Sequence, residues 1–249
     1  MDTEKPKIIT IASIKGGVGK STSAIIFATL LAQRYKVLLI DMDTQASSTS
    51  YFIDAIEKQK VDIVQYNIYE VVKNNIDVNE SIINIHNGLD LIPSYLSLYQ
   101  FNSETILFKE MRLKENLKLL NIKYDYIILD TNPSLDYTLV NALVVSNYII
   151  VPMTAEKWSV ESLQLLEHFI KKAGLKIPIF LIVTRFKTNK THKYLLKLIE
   201  LRENFLGFIK EREDLNRKIA NNATFDVDKD YIKEYQDIFN KFLGKINIT

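Results

Sequence analysis

The sequence predicts an α/β fold: a doubly wound, mostly parallel sheet with helices on both faces. Three observations carry that expectation. Short runs of Val, Ile and Leu recur along the chain, continuous rather than alternating, as strands read when both faces of a parallel sheet are covered. Helical patterns separate these runs, and such alternation favours a wound sheet over a sandwich or a bundle. A glycine-rich loop joins the first run to the first helix. The chain has only seven glycines in 249 residues, yet Gly16, Gly17 and Gly19 fall within four positions. Glycine concentrated in this way marks a backbone that needs positive φ or close approach.

In order, Lys7–Ser13 (KIITIAS) reads as a buried strand, and a helix follows from about Ser21 to Arg34. Val37–Asp41 is a second apolar run, too short for a helix. Ser50–Ile85 reads as helical with loops, and Leu89–Ile92 before Pro93 as a short strand. Tyr126–Asp130, Tyr148–Pro152 and Ile179–Thr184 repeat the strand form. Helices are expected at Leu96–Leu120, Leu139–Val145, Val160–Ala173 and His192–Asn204. From Asp228 to Ile246, Tyr231, Tyr235, Ile238, Phe242 and Ile246 recur at helical spacing. The charges there nearly balance, so the segment is expected to pack on the domain rather than on a membrane, which would call for a strongly basic polar face. No Gly/Ser/Pro linker interrupts the chain, and a single domain over residues 1–249 is expected.

Composition closes off several chemistries. With 47% hydrophobic and 25% charged residues the chain is not a disordered one. There is no cysteine, which excludes disulfides, thiolate zinc sites, iron–sulfur clusters and thiol catalysis. His86, His168 and His192 are too dispersed for a local metal motif. No apolar stretch approaches the ~20 residues of a membrane span, and the N-terminus lacks a signal-peptide core. A soluble, cytoplasmic protein is the expectation.

The chemistry centres on Lys15-Gly16-Gly17-Val18-Gly19-Lys20-Ser21-Thr22. Between a strand and a helix, such a loop turns successive backbone N–H groups onto phosphate oxygens, and the helix dipole adds positive potential. Lys20 would reach the β- and γ-phosphates, and Ser21 would offer Mg²⁺ a hydroxyl. The usual first glycine of the pattern is replaced by Ile14, and a second lysine, Lys15, stands at the start of the loop.

KGGVGKST resembles the deviant phosphate loop of the ParA/MinD group of P-loop ATPases, and the likeness continues in register. VLLIDMDTQAS (Val37–Ser47) is similar to that group's VLLIDxDPQGN. YDYIILDTNPSLDYTLVNAL (Tyr124–Leu143) resembles its YDYIIIDxPPSL…NAL, and VPMTAEKWSVESL (Val151–Leu163) its IPxxAExxxxEGL. The chain is most similar to the short ParA proteins of DNA partition, which lack an N-terminal helix-turn-helix domain. Only fourteen residues precede the loop, so no such domain is expected. The resemblance implies ATP and Mg²⁺ as cofactors and a weak ATPase stimulated by DNA and partner. It implies that Asp130 helps hold the metal shell, that Asp43 orients or deprotonates the attacking water and meets the metal through it, and that Asp41 helps the metal region. It also implies that Lys15 reaches across an ATP-bound homodimer to the partner's phosphates, so that hydrolysis depends on dimerisation. Thr44, Asn132 and Asp136 depart from the group's Pro, Pro and Gly, which leaves the motion of these loops open. Thr184–Phe186 is where the group's base-contacting loop would lie.

The net charge of +2 conceals a basic segment. From His168 to Ile199 the chain carries eight Lys or Arg and no acid, which leaves −6 for the rest. That asymmetry suggests a polyanion-facing surface. Arg185, Lys187, Lys190 and Lys193 are the candidate DNA contacts, with Arg212, Arg217 and Lys218 as a second cluster. Lys187-Thr-Asn189 resembles the Arg-Thr-Asn of the group, whose basic residue binds DNA without reading sequence. No zinc finger, homeodomain or helix-turn-helix signature is present, so phosphate contacts without base readout are expected. Trp158 and Tyr194 are expected to pack rather than stack on bases. The function that follows is partition of plasmid or chromosomal DNA on the nucleoid, with a ParB-like centromere-binding partner. The alternatives are a MinD-like positioning ATPase on membrane and a nucleotide-gated binding protein with negligible hydrolysis.

Overall fold

The computed structural model describes residues 5–225 and 228–246. Eight strands form one sheet: β1 (Lys7–Ile11), β2 (Val37–Met42), β3 (Ile83–His86), β4 (Leu89–Ile92), β5 (Tyr126–Thr131), β6 (Tyr148–Met153), β7 (Ile179–Phe186) and β8 (Phe205–Lys210). Their order is β3-β4-β2-β5-β1-β6-β7-β8. Every pair is parallel except the β3–β4 edge hairpin. The chain winds outward from β1 in both directions, which places a topological switch point at its carboxyl end. Ligands of open α/β sheets bind at such points.

The helices are α1 (Lys20–Leu31), α2 (Ser47–Tyr51), α3 (Ile53–Lys58), α4 (Ile68–Lys73), α5 (Gln100–Ser103), α6 (Arg112–Leu117), α7 (Tyr137–Val145), α8 (Lys157–Lys172), α9 (Lys190–Glu200), α10 (Glu213–Ala220) and α11 (Asp230–Ile246). Successive residues of a strand point to opposite faces. Val37 and Leu39 therefore join α1 and α11 on one side, while Leu38 and Ile40 join α4 and α6 on the other. Beyond β1, the α7–α8–α9 side forms a third cluster with Val151, Leu181 and Val183. The apolar face of α11 lies in the first cluster. Phe242 meets Tyr148 and Phe180 edge-on, and the Tyr235 hydroxyl pairs with Ser23 of α1 at 3.0 Å.

Three regions differ from the sequence reading. The stretch expected to be one helix from Leu96 to Leu120 is broken. Lys109 Nζ donates to the carbonyls of Asn102 and Glu104 at 2.9 and 2.7 Å, taking acceptors that would otherwise continue the helix, and Phe108 turns left-handed at φ +52°. Ile83–His86, read as part of a helical stretch, is the antiparallel edge strand; the Asn87-Gly88 turn sets it against β4. Phe205–Lys210, which carried no expectation, is the other edge strand. Its Gly207 and its half-exposed residues hide it from a search for continuous apolar runs.

Candidate functional site

The glycine loop closes over the carboxyl end of β1. Gly17 and Gly19 have φ of +72° and +80°, which a side chain would resist. Two residues at the end of β7 pin the loop: Thr184 Oγ1 donates to the Val18 carbonyl at 2.7 Å, and Arg185 Nη1 to the Gly17 carbonyl at 2.8 Å. Lys20 opens α1 with 6% of its surface exposed, and among the described residues its ammonium hydrogen-bonds only the Lys15 carbonyl, at 3.5 Å. Burial lowers its pKa, while Asp130 and Asp43 act in the opposite direction.

The carboxylates come from neighbouring strands. Asp41 of β2 stands directly opposite Asp130 of β5, and both are fully buried. Asp41 accepts from Thr49 N and Thr49 Oγ1, each at 2.8 Å, and from Asp43 N at 3.1 Å. Asp130 accepts from Ser48 Oγ at 2.7 Å on one oxygen, and its other oxygen, near the Ser21 hydroxyl, is buried without a hydrogen-bond partner among the described residues. Burial first, then the facing Asp130, pushes the Asp41 carboxyl up to about 8. Burial likewise raises Asp130, to about 6, while the Ser48 and Ser21 hydroxyls act against that rise. Asp43, 5% exposed, accepts from Gln45 N at 2.9 Å, and Ser94 Oγ donates to its carbonyl.

An all-oxygen set of carboxylates and the Ser21 hydroxyl suits a hard cation. The unpartnered Asp130 oxygen is the free ligand position such an ion requires. Among the described residues no cluster of three or more acidic or imidazole groups makes a closed cage, so an ion here would share its shell with water and ligand phosphates, as magnesium does. The loop opens into a cavity of about 710 Å³. Gly16, Lys20, Ser21, Asp43 and Pro133 line it on the side of the glycine loop. Ile209, Leu215, Asn216, Ile219 and Tyr235 line the same cavity from β8, α10 and α11.

Lys15 is held away from this centre. Its ammonium bonds the Glu156 carboxylate, Thr154 Oγ1 (3.3 Å) and Ser159 Oγ (3.2 Å), between the end of β6 and the first turn of α8. The Lys15 hydrogen bond holds the Glu156 carboxyl below the usual range. Spacing gave no sign of this contact, which joins residues 141 positions apart.

The basic candidates separate into three groups. Lys190 and Lys193 lie on the exposed face of α9, and Lys197 continues their row. The i, i+3, i+7 spacing was the available signal for that third lysine. Lys187 is exposed beside this row, 3.2 Å from Glu211. Arg185 sits on the glycine loop instead. Arg212, expected among the DNA contacts, grips Glu234 of α11 with two bonds of 2.7 and 2.8 Å and is only 18% exposed, so its charge is already engaged. Arg217 and Lys218 are on α10, the helix that borders the cavity. Trp158 and Tyr194 are not packing residues: they are 69% and 65% exposed on α8 and α9. The departures at Asn132 and Asp136 meet each other, with Asn132 Nδ2 donating to the Asp136 carboxylate at 2.6 Å. Asp136 also caps α7 through the Thr138 and Leu139 amides.

A glycine loop between β1 and α1, ending in Lys-Ser and faced by acids from β2 and β5, defines a P-loop nucleoside triphosphatase. A family model described as an AAA domain matches residues 6–181. A virulence-plasmid ParA family protein of Chlamydia psittaci is 31% identical over 239 residues, covering 92% of this chain and 85% of that protein. The sporulation initiation inhibitor protein Soj of Bacillus subtilis is 35% identical over 169 residues, 66% of this chain and 65% of Soj. The chain likewise covers a little under two thirds of uncharacterised relatives from Methanocaldococcus jannaschii and Pseudomonas putida, at 63% and 65%. A crystal structure described as a plasmid partition protein of Borrelia burgdorferi bound to AMPPNP is 62% identical, with a TM-score of 0.95, and covers 97% of this chain and 100% of that one. The chain belongs to the ParA family of P-loop ATPases.

Proposed function

We propose that this protein is an ATP-dependent dimerising switch ATPase that binds DNA without sequence preference and partitions plasmid or chromosomal DNA with a ParB-like partner. The observation that carries the reading is the convergence of the glycine loop, Lys20 and Asp43 on one nucleotide-sized cavity, with the Asp130 carboxylate buried behind them beside Lys20 and Asp43. The AMPPNP held by the similar Borrelia protein supports ATP as the nucleotide. Lys20 meets the β- and γ-phosphates. Asp130 and Ser21, with Asp43 through water, would hold magnesium, whose charge neutralises the phosphates. Asp43 orients a water and takes up its proton as the water oxygen adds to the γ-phosphorus; the bond to the β–γ bridging oxygen breaks, ADP leaves with that oxygen, and the proton passes on to the phosphate released. Positioning and charge stabilisation supply most of the acceleration in phosphoryl transfer. Lys15 leaves Glu156 and meets the phosphates of a second copy, which ties hydrolysis to the dimer.

The lysine row of α9, with Lys187, supplies the DNA face. None of Lys190, Lys193 and Lys197 forms an ion pair with a described residue, so all three charges are available to phosphates. No helix among the described residues is long and apolar enough to cross a membrane, and the apolar face of α11 is buried in the core. The buried face of α11 favours DNA over a membrane surface, and with it a nucleoid-associated protein. The test is duplex DNA binding measured with ATP, AMPPNP, ADP and no nucleotide. Binding with ATP and AMPPNP alone supports the switch, and equal binding in all four states refutes it.

A further inference from the structure

We propose that Ser48 is the positioning residue of the magnesium site, its hydroxyl holding one Asp130 oxygen so that the other stays free for the metal. This rests on the reading that Asp130 holds magnesium beside a bound nucleotide.

Ser48 is fully buried on α2, the short helix that follows Asp43. Its Oγ donates to Asp130 Oδ2 at 2.7 Å, while Asp130 Oδ1 has no hydrogen-bond partner among the described residues. The last torsion of an aspartate is broad and roughly two-fold, so a carboxylate is not aimed by its own rotamer. Lys20 and the Ser21 hydroxyl both act on this carboxylate, and either could draw it round. A donor fixed on one named oxygen settles the rotation, and Oδ1 is the oxygen left over. Outer partners of this kind orient the groups that ligate metals.

The next residue shows that this arrangement belongs to Ser48. Thr49 donates its amide and its hydroxyl to Asp41 Oδ2, each at 2.8 Å, and Asp43 N donates to Asp41 Oδ1 at 3.1 Å. Each Asp41 oxygen therefore has a donor already, whereas Asp130 keeps one oxygen free. Two consecutive hydroxyls of one helix sort the facing carboxylates: Asp41 is closed off and Asp130 is presented. The turn into α2 gives separate support. Ala46, which precedes the helix, has φ +50°, a left-handed conformation that glycine adopts more readily. Its amide donates to the Asp43 carbonyl at 2.9 Å, and its carbonyl accepts from Ser50 N at 2.8 Å. That turn brings Ser48 back over the end of β5. Strained backbone concentrates where the geometry it enforces is used.

The test compares wild type, Ser48→Ala, Ser48→Cys and Thr49→Val in the full chain. AMPPNP binding is measured by calorimetry in excess Mg²⁺ and again in EDTA, and the Mg²⁺ dependence of hydrolysis is followed alongside. The ratio of the two affinities is the coupling between metal and nucleotide. In Ser48→Ala the EDTA affinity should match wild type, and the Mg²⁺ affinity should fall about 10- to 100-fold, the usual cost of losing a residue that orients a metal ligand. Hydrolysis should need about tenfold more Mg²⁺, with kcat at saturating Mg²⁺ much less affected. Ser48→Cys keeps the volume and donates weakly, so it should fall between, and it carries the test if the alanine variant does not fold. Thr49→Val removes the hydroxyl bound to Asp41 and should keep the wild-type ratio. An unchanged ratio in both Ser48 variants overturns the proposal. So does an equal loss in Mg²⁺ and EDTA, which marks a disturbed phosphate loop, or the same fall of the ratio in Thr49→Val, which assigns the effect to α2 as a whole. Wild type binding AMPPNP equally with Mg²⁺ and EDTA refutes the assignment of Asp130 to a metal, and wild type binding no nucleotide refutes the reading of the cavity; either result takes this proposal with it.

Discussion

Replacing Lys20 by Met separates holding the fold from holding the ligand, because the structure predicts opposite consequences for the two. Lys20 is buried, makes one long hydrogen bond, and has a pKa that burial lowers despite two nearby carboxylates. An ammonium so placed is a net liability to the empty protein. Met preserves the unbranched length without the charge, so the nucleotide-free variant should melt at or above the wild-type temperature. Nucleotide binding should move the other way. Each charge-assisted hydrogen bond contributes about 1.5–3 kcal/mol. Losing two, to the β- and γ-phosphates, removes about 3–6 kcal/mol, and at about 1.4 kcal/mol per decade the dissociation constant rises roughly 10²- to 10⁴-fold. The assay is thermal melting with and without Mg-ATP. At a hundredfold excess over the dissociation constant a ligand stabilises by about 2.7 kcal/mol. For a chain of this length that is a rise of about 5–10 °C. Wild type should show this rise and Lys20→Met should show none at the same concentration. A retained rise refutes the phosphate-cradle assignment. A nucleotide-free melting point about 5 °C or more below wild type, a loss of 1 kcal/mol or more, refutes the claim that the empty site holds Lys20 against its preference.

Lys15→Ala should bind ATP normally but fail to form the ATP-dependent dimer in sedimentation, with turnover reduced. Glu156→Gln, which weakens the intrachain hold on Lys15, should raise both dimer and turnover; normal hydrolysis by Lys15→Ala would remove the second-copy role. Asp43→Ala should bind Mg-ATP, hydrolyse it about 10²- to 10⁴-fold more slowly as expected for loss of a proton-handling group, and persist as a DNA-bound dimer. Light scattering that finds only monomer with ATP would contradict this. Substituting Glu at Lys187, Lys190 and Lys193 together should abolish DNA binding and spare ATP binding. In wild type, four to six phosphate contacts per dimer should give a slope of log affinity against log salt of roughly −4 to −5. Lys187 shares Glu211, so its single substitution should matter least of the three, and wild-type binding by the triple variant would move the contacts to Arg217 and Lys218.

What sequence made legible follows from where each signal resides. The central strands were readable because both faces are covered, so their apolar runs are continuous. The edge strands were not: β8 has only Leu206 and Ile209 fully buried, and β3 pairs through one side alone. The phosphate loop was readable because scarce glycines cluster where φ must be positive. The facing of Asp41 and Asp130 was not, because it depends on β2 and β5 being neighbours in register, and strand order is not local information. Arg185 looked like one more cation in a basic run. Its direction is decided by a single left-handed φ and by the Gly17 carbonyl, 168 residues away. Arg212 shows the same limit in reverse, since its partner Glu234 lies on another helix and removes it from the surface charge that composition appeared to offer.

The buried charges of the site are electrostatically unfavourable among themselves, which suits the proposed role as a ligand-driven switch. Asp41 and Asp130 oppose each other in the sheet interior, where burial raises both carboxyls, with added repulsion from Asp130 on Asp41 and from Asp43 on Asp130. Lys20 is pushed the other way by its own burial. Apolar residues of similar size would hold an empty protein together better. On the proposed reading, a nucleotide with its dication would reverse every sign: the Asp130 oxygen without a hydrogen-bond partner among the described residues would gain a ligand, the two carboxylates a shared counter-charge, and Lys20 phosphates. A ligand shifts a conformational equilibrium only by its differential affinity for the two states. Here that difference is built from buried charges that lack adequate partners until the ligand arrives. Lys15 follows the same logic one step out. Its contact with Glu156 satisfies the charge within one chain, so a second chain must offer more than a carboxylate and two hydroxyls to draw it away, and a polyphosphate is a ligand that does.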